Sequence, residues 1–446
     1  MPGGSMTRAS SAVASGLDEW LIRRPVWSLL LAIYALAVIL SLTAGYVFFF
    51  RSRVEFLDYD EWEYWQLSGS LLGGGFDDPG RRTAGFPALL AALRLVADDL
   101  NFVQPAVAAL ASTAPPLLAF ALLKAGAGRL AAVLAGVALA LWPPHLFLSV
   151  SLYSEALTLP LLLVFLAFLP RKESGRRSLL AWVACGILLG VIAHFRTMYQ
   201  LFVPVLLVML IFEWKAWRPA VARWALVVSG FLAAVLPWSA YVSDKAGRPI
   251  LLTANGGETL AGGLTPRLLQ METSIQQLER RTAYTGPGKW LPIEQTGYLS
   301  ARETQLPYME QDGLLKERTL NWVWSNPDDA AYLVMRKLAY QWGIYPFWQH
   351  DTKQILFGNL PIIVLALLFL LVAAKQPAAF AIGARFWLMP LFVIGVAVVS
   401  WGSWRFRHPA DAAMIAVVAT AASLWLAGAR GRVQDAISDQ GEPRRA

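Results

Sequence analysis

A chain of 446 residues that is 57% hydrophobic and only 15% charged, with a mean hydropathy of +0.48, falls outside the composition of soluble globular proteins. Its net charge of +8 does not mark a nucleic-acid-binding surface, because the Lys and Arg residues concentrate in short connections between apolar segments, where they anchor topology. The single cysteine, Cys185, lies inside an apolar segment and excludes an intramolecular disulfide.

A helix that crosses hydrocarbon needs roughly 20 apolar residues, because without water each backbone amide must bond inside its own helix. Ten spans are predicted, at residues 26–50, 102–123, 130–144, 150–169, 179–193, 199–212, 222–242, 354–374, 386–400 and 409–427. The first is too long for the core of a signal peptide and lacks a small-residue cleavage site, so it is expected to stay as an anchor. Arg23 and Arg24, Lys124 and Arg129, Arg171, Lys172, Arg176 and Arg177 then fall on one face. Lys215, Arg218 and Arg223, Lys375 and Arg385, and Arg430 and Arg432 continue the series. Basic connections stay in the cytoplasm, which predicts an inner (plasma) membrane, multi-pass protein with both termini cytoplasmic.

The expected organisation follows. Residues 1–25 are a cytoplasmic N-terminal segment, and 26–242 a transmembrane core with a first outer loop at 51–101. Residues 243–353 form a large outer loop, 354–428 the C-terminal transmembrane helices, and 429–446 a disordered cytoplasmic tail. Within the first loop, the apolar stretch 85–97 is too short to cross and is placed at the interface. The large loop opens with turn chemistry at Asn255, Gly256, Gly257, Gly262 and Gly263. Farther on, Asn326, Pro327, Asp328 and Asp329 signal a helix start. Tyr332, Met335, Leu338, Ala339 and Trp342 then recur at helical spacing, a stripe that can lie on the membrane or pack beneath the loop. Trp322, Trp324, Trp342 and Trp348 suit an interfacial belt.

Acids crowd the point where the chain leaves the first span, at Asp58, Asp60, Glu61 and Glu63. Asp58 with Glu61 three residues on has the form of a capping box, a purely structural role. An acid beside apolar and aromatic side chains also has its pKa raised by desolvation, which poises it as a general base; Asp60, with Tyr64 one turn along, fits that role. Arg81 and Arg82 follow on the outer side, where the charge rule disfavours them, and guanidinium pairs bidentately with phosphate. Asp77 and Asp78 or lipid headgroups in general are the bland partners for these arginines. His194 and Arg196, and Arg405 and Arg407, repeat the theme, although each could equally be a snorkelling anchor. Glu155 is an ionisable group near membrane depth or a first-turn acid after Ser154, and Asp411 a partner for Arg405 or Arg407 or a first-turn acid. His145 and His408 are too scattered for a metal site, and no zinc spacing, P-loop or dinucleotide fingerprint occurs.

These motifs, in their order against the spans, resemble the GT-C membrane glycosyltransferases that use polyprenyl-phosphate sugars, in particular the protein mannosyltransferase-like branch that includes aminoarabinose transferases. Asp60, Glu61 and Tyr64 resemble the first-loop Asp, Glu and aromatic of that family. The run from Arg82 to Pro87 is similar to its Arg, Pro, Gly, Tyr, Pro-like segment, with Thr83 where proline is common. Ser154 and Glu155, the Asn255 turn, Asn326 with Pro327, and Arg405, Phe406, Arg407 and Pro409 are similar to further family features.

The resemblance implies an all-α GT-C fold of about ten transmembrane helices, with two extracytoplasmic loop regions that carry interfacial helices. It also implies inverting transfer of a sugar from a polyprenyl-phosphate donor to a glycolipid, glycan or protein acceptor on the outer face. Asp60 and Glu61 are then the catalytic acids, and Arg81, Arg82, Arg196, Arg405 and Arg407 the donor-phosphate ligands. Tyr64, Glu155 and His194 orient substrate, and a divalent metal is optional. A multi-span transporter or lipid flippase, an O-antigen ligase or polymerase, and a non-catalytic assembly subunit are the rivals; the lack of an evident sequence repeat weakens the first.

Overall fold

The structure, a computed structural model, describes residues 20–21, 23–76, 80–170, 178–271, 288–344, 359–376, 378–379, 384–400 and 402–441. Asp77, Asp78, the Arg171 to Arg177 basic group, Trp348 and the start of the eighth predicted span lie outside the described residues. Among the described residues every regular element is a helix. In chain order the α-helices begin with α1 (Val26–Ala44), α2 (Tyr59–Leu72), α3 (Gly85–Arg94), α4 (Leu100–Ala111), α5 (Ala114–Ala125) and α6 (Arg129–Ala140). Next come α7 (Pro143–Ser149), α8 (Glu155–Phe168), α9 (Ser178–Phe195), α10 (Phe202–Trp214), α11 (Trp217–Ala246) and α12 (Gly256–Gly263). The chain closes with α13 (Pro266–Gln270), α14 (Tyr308–Ser325), α15 (Pro327–Gln341), α16 (Leu360–Lys375), α17 (Ala384–Val399) and α18 (Trp404–Gly441).

Five helical stretches are long and apolar enough to cross a membrane, which makes this an integral membrane protein: Val26–Phe49, Leu100–Ala125, Thr197–Trp214, Trp217–Ala246 and Trp404–Ala427. They coincide with the first, second, sixth, seventh and tenth predicted spans. The third is instead a pair of helices bent by 63°, α6 and α7, because Pro143 and Pro144 open α7 and cannot continue the hydrogen-bond ladder of α6. The rest are shorter apolar helices, so among the described residues five helices, or six with the bent pair counted as one span, are long and apolar enough to cross, fewer than the ten expected. Helix α3 is only 10 residues long, too short to cross, as its length in the sequence requires. Helix α18 runs on to Gly441, into the stretch expected to be a disordered tail.

The main core gathers Leu118, Leu139, Leu162, Leu189, Phe202, Phe392 and Met414 from α5, α6, α8, α9, α10, α17 and α18. Helices α9 and α11 pack so closely that a Cβ on Gly186 would lie 2.1 Å from the Val227 carbonyl oxygen, and one on Gly230 2.1 Å from that of Val183. Small residues let backbones meet in a membrane, where no hydrophobic force pulls helices together. A second cluster, with Tyr64, Trp65, Phe86, Leu90, Val103 and Leu157, seats α2 and α3 on α4 and the start of α8. The first loop is thereby fixed to the bundle.

The large loop is helical where the turn chemistry predicted an open turn. Residues Gly256–Gly263 form α12, and Gly257 is needed there because a Cβ would sit 1.9 Å from the Asp312 carbonyl oxygen of α14. Helix α15 starts at Pro327 as expected, but the Asn326 side chain donates back to the Trp322 carbonyl oxygen at 2.9 Å and does not cap it. Its buried face is Ala330, Leu333, Lys337 and Gln341, whereas Tyr332 and Met335 of the predicted stripe stay exposed. Lys337 is fully buried and donates to the Val398 and Ser400 carbonyl oxygens at 3.1 and 2.8 Å, closing the C-terminal end of α17. Burial pushes its amine down to about 7.

Candidate functional site

Helix α2 opens on a complete capping box. The Asp58 carboxylate accepts from the Tyr59 amide at 2.9 Å and from the Tyr153 hydroxyl at 2.5 Å. Glu61 reaches back to the Asp58 amide at 3.0 Å, and its other oxygen accepts from the Leu152 amide at 2.9 Å. Asp58 and Glu61 are thus occupied in starting the helix and joining it to α8. That anchoring fixes the direction of the next face of the same turn, which carries Asp60 and Glu63 three residues apart.

Asp60 faces two arginines. Its Oδ1 lies 2.9 Å from Arg82 Nη2 and its Oδ2 2.8 Å from Arg405 Nη2, a residue 345 positions away at the start of α18. Arg82 also pairs with Glu63 through Nε at 3.0 Å and Nη2 at 2.6 Å, and lies over the Tyr64 ring at 5.4 Å. Arg405 stacks on Tyr153 at 4.3 Å and approaches Glu155 at 3.9 Å. Glu155 in turn holds Arg196 at 3.2 Å, and Arg81 bridges Glu63 at 3.9 Å and Glu258 of the large loop at 3.2 Å. The result is an alternating chain, Glu258, Arg81, Glu63, Arg82, Asp60, Arg405, Glu155, Arg196, with Asp60 near its middle.

Burial alone pushes the Asp60 carboxyl up, as the sequence predicts, but Arg82, Arg405 and Arg196 outweigh it and hold the group well below the usual carboxylate range. The expectation of a raised Asp60 is therefore reversed: in this arrangement it is a firmly ionised, fully engaged anion. Burial raises the neighbouring Glu61. Arg82 is held above its ordinary value by Tyr64, Asp60 and Glu63 despite its burial.

Two clefts of about 240 Å³ each open on this chain. They share a wall of Arg81, Arg82, Arg196, Asn255 and Thr259. Beyond that wall the first has a mixed lining, with Met198, Leu201, Val396, Val399 and Phe406 beside Thr83, Thr197, Gln200, Thr253 and Ser400; Leu201 and Val399 are exposed. The second adds Asp58, Asp60, Glu258 and Arg405 beside Tyr59 and Trp290. One arginine wall thus separates a groove with no carboxylate in its lining from a carboxylate-rich one.

Of the residues singled out in the sequence, Asp60, Arg81, Arg82, Arg196, Arg405 and Glu155 come together. Tyr64 lies beneath Arg82 and donates to Ser154 Oγ at 3.3 Å. His194 turns toward α11, with Nε2 3.2 Å from the Ala234 carbonyl oxygen, while its own carbonyl accepts from Thr83 Oγ1 at 2.5 Å. Arg407 faces away from the cluster: it is buried, pairs with Asp411 at 2.9 Å and donates to the Gln341 carbonyl oxygen. This settles the partner of Asp411. Glu63 and Glu258 were not singled out as site residues; Glu63 is legible in retrospect, being one turn from Asp60, whereas nothing local marks Glu258. Among the described residues no group of three or more His, Cys, Asp or Glu side chains is placed to hold a metal ion.

No protein-family model matches the sequence, and no curated protein does. The structure is similar to the archaeal oligosaccharyltransferase AglB from Archaeoglobus fulgidus, solved in complex with an inhibitory peptide and a dolichol-phosphate. The TM-score is 0.53 at 15% identity, covering 96% of this chain and 53% of that one. The chain spans about half the length of that protein. The likeness establishes the fold class: an all-helical, GT-C-like membrane architecture.

Proposed function

We propose that the protein is a membrane glycosyltransferase that moves a sugar from a polyprenyl-phosphate donor to a hydroxyl or amine of a glycolipid, glycan or protein acceptor. The observation that carries this reading is Asp60 set between Arg82 and Arg405 in a carboxylate-bearing cleft, whose arginine wall is shared with a second cleft that holds Met198, Leu201, Val396, Val399 and Phe406. A lipid phosphate needs cations at its headgroup and an apolar groove for its chain; an acceptor needs a base on the opposite side. The charge distribution of the connections supports an outer-face site with both termini in the cytoplasm. At the opposite end, Arg129 donates to the Leu21 and Arg24 carbonyl oxygens, each at 2.7 Å, and Arg385 pairs with Glu213 at 2.6 Å.

In the transfer, Asp60 takes the acceptor proton as the nucleophile attacks the anomeric carbon with inversion. Arg82, Arg405 and Arg196, with Arg81 at the rim, stabilise the charge that grows on the departing phosphate. Glu155 fixes Arg196 and Arg405, and Tyr64 supports Arg82 from below. Mass spectrometry of envelope glycans and glycolipids from cells carrying native protein or Asp60→Asn tests the reading. A sugar missing only in the variant is expected; an unchanged glycan profile with undiminished transfer by purified Asp60→Asn would sink it. Arg82→Ala should impair donor use more than acceptor use.

A further inference from the structure

The alternating chain contains four arginines and four carboxylates, so its formal charges cancel with no ligand bound. A neutral, internally paired cluster does not take up an anion by simple attraction. One carboxylate must yield its place. Asp60 is the carboxylate set between two arginines that each keep another contact without it: Arg82 a two-nitrogen grip on Glu63, and Arg405 its stack on Tyr153, with Glu155 3.9 Å away. Arg405 also carries a buried Nη1 that makes no hydrogen bond among the described residues, a donor without an acceptor.

Resting on the glycosyltransferase reading, we propose that the donor arms the base: an anionic phosphate headgroup displaces Asp60 from Arg82 and Arg405, and Glu63 and Glu155 act as positioning residues that keep both arginines in place. Without donor, both Asp60 oxygens are tied up and the site is inert toward the acceptor. With the phosphodiester bound, Asp60 is free to accept a proton. The acceptor O–H or N–H bond then breaks, its proton passes to Asp60, and the acceptor atom bonds to the anomeric carbon. The anomeric C–O bond breaks, and its electron pair stays on the phosphate. The phosphate gains one negative charge as Asp60 loses one, so the net charge of the site is constant through the step.

Binding of farnesyl phosphate to the purified full-length protein tests this, with farnesol as the phosphate-free control. Asp60→Asn and, independently, Asp60→Ala should bind farnesyl phosphate about tenfold tighter than the native protein, with farnesol binding unchanged. Adding Glu63→Gln to Asp60→Asn should abolish the gain, since Arg82 then has no carboxylate to hold it. Equal affinity of native protein and both Asp60 variants for farnesyl phosphate overturns the inference and leaves the transferase reading standing. No binding of farnesyl phosphate by any form overturns both.

Discussion

Replacing Arg405 by alanine removes the link between the first loop and the last long helix. The side chain is 17% exposed and makes one short charge-assisted contact to Asp60 at 2.8 Å, a looser one to Glu155 at 3.9 Å and a stack on Tyr153 at 4.3 Å. A hydrogen bond to a charged group contributes about 1.5–3 kcal/mol net and a partly desolvated cation–π contact about 1. The long contact to Glu155 adds little. The loss is thus about 2.5–4 kcal/mol, overlapping the lower part of the range for breaking a buried pair and leaving its partner charged. In transfer, a missing donor at the developing phosphate charge costs about 100- to 1000-fold in rate. Arg405→Lys keeps the charge but cannot reach Asp60 and Glu155 while stacking on Tyr153, so its loss should be smaller, about tenfold. Sugar transfer by purified variants in detergent, with a melting curve for each, measures both quantities. Arg405→Ala within threefold of native activity would refute the reasoning.

Gly85→Ala places a Cβ 2.5 Å from the His194 carbonyl carbon and oxygen. It should displace the Thr83 contact and the adjacent Arg82, lowering transfer by tenfold or more by the cost of overpacking, about 1–3 kcal/mol; kinetics on a folded variant check it. Gly186→Leu drives a side chain into the Val227 backbone and should abolish stable folding of the α9 and α11 pair, seen as loss of a monodisperse peak in detergent. Burial lifts the Asp312 carboxyl to about 6. The folded state then holds a proton more tightly than the unfolded one, so this group's contribution to stability falls as pH rises from about 4 to 6 and is flat above. Asp312→Asn should remove that part of the slope, and identical pH-dependence of melting in the two proteins would count against it. Asp60 behaves oppositely: its pairs stabilise above the ordinary carboxylate pKa and are lost only in stronger acid, so no Asp60-driven melting is expected between pH 5 and 8.

The membrane class, the position of the longest spans and the start of α2 were legible because each depends on neighbours in sequence: apolar length, a capping box, a proline at the first helical position. The Asp58 cap needs only Glu61 three residues on, and the shortness of α3 only a count of apolar residues. The two halves of the Gly186 and Gly190 spacing were also present, yet their role appears only when Val227 and Phe231 of α11 lie against them.

What tertiary structure alone decided is which charges meet. Arg405 and Arg407 are two positions apart on one helix, so they point to different sides; one reaches Asp60 and the other is buried with Asp411. No local rule distinguishes them. The protonation of Asp60 is likewise a tertiary property, since desolvation is readable from nearby aromatic residues but the three arginines that reverse it come from three separate segments. Local periodicity fixes where a carboxylate points, whereas long-range packing fixes the field it sits in.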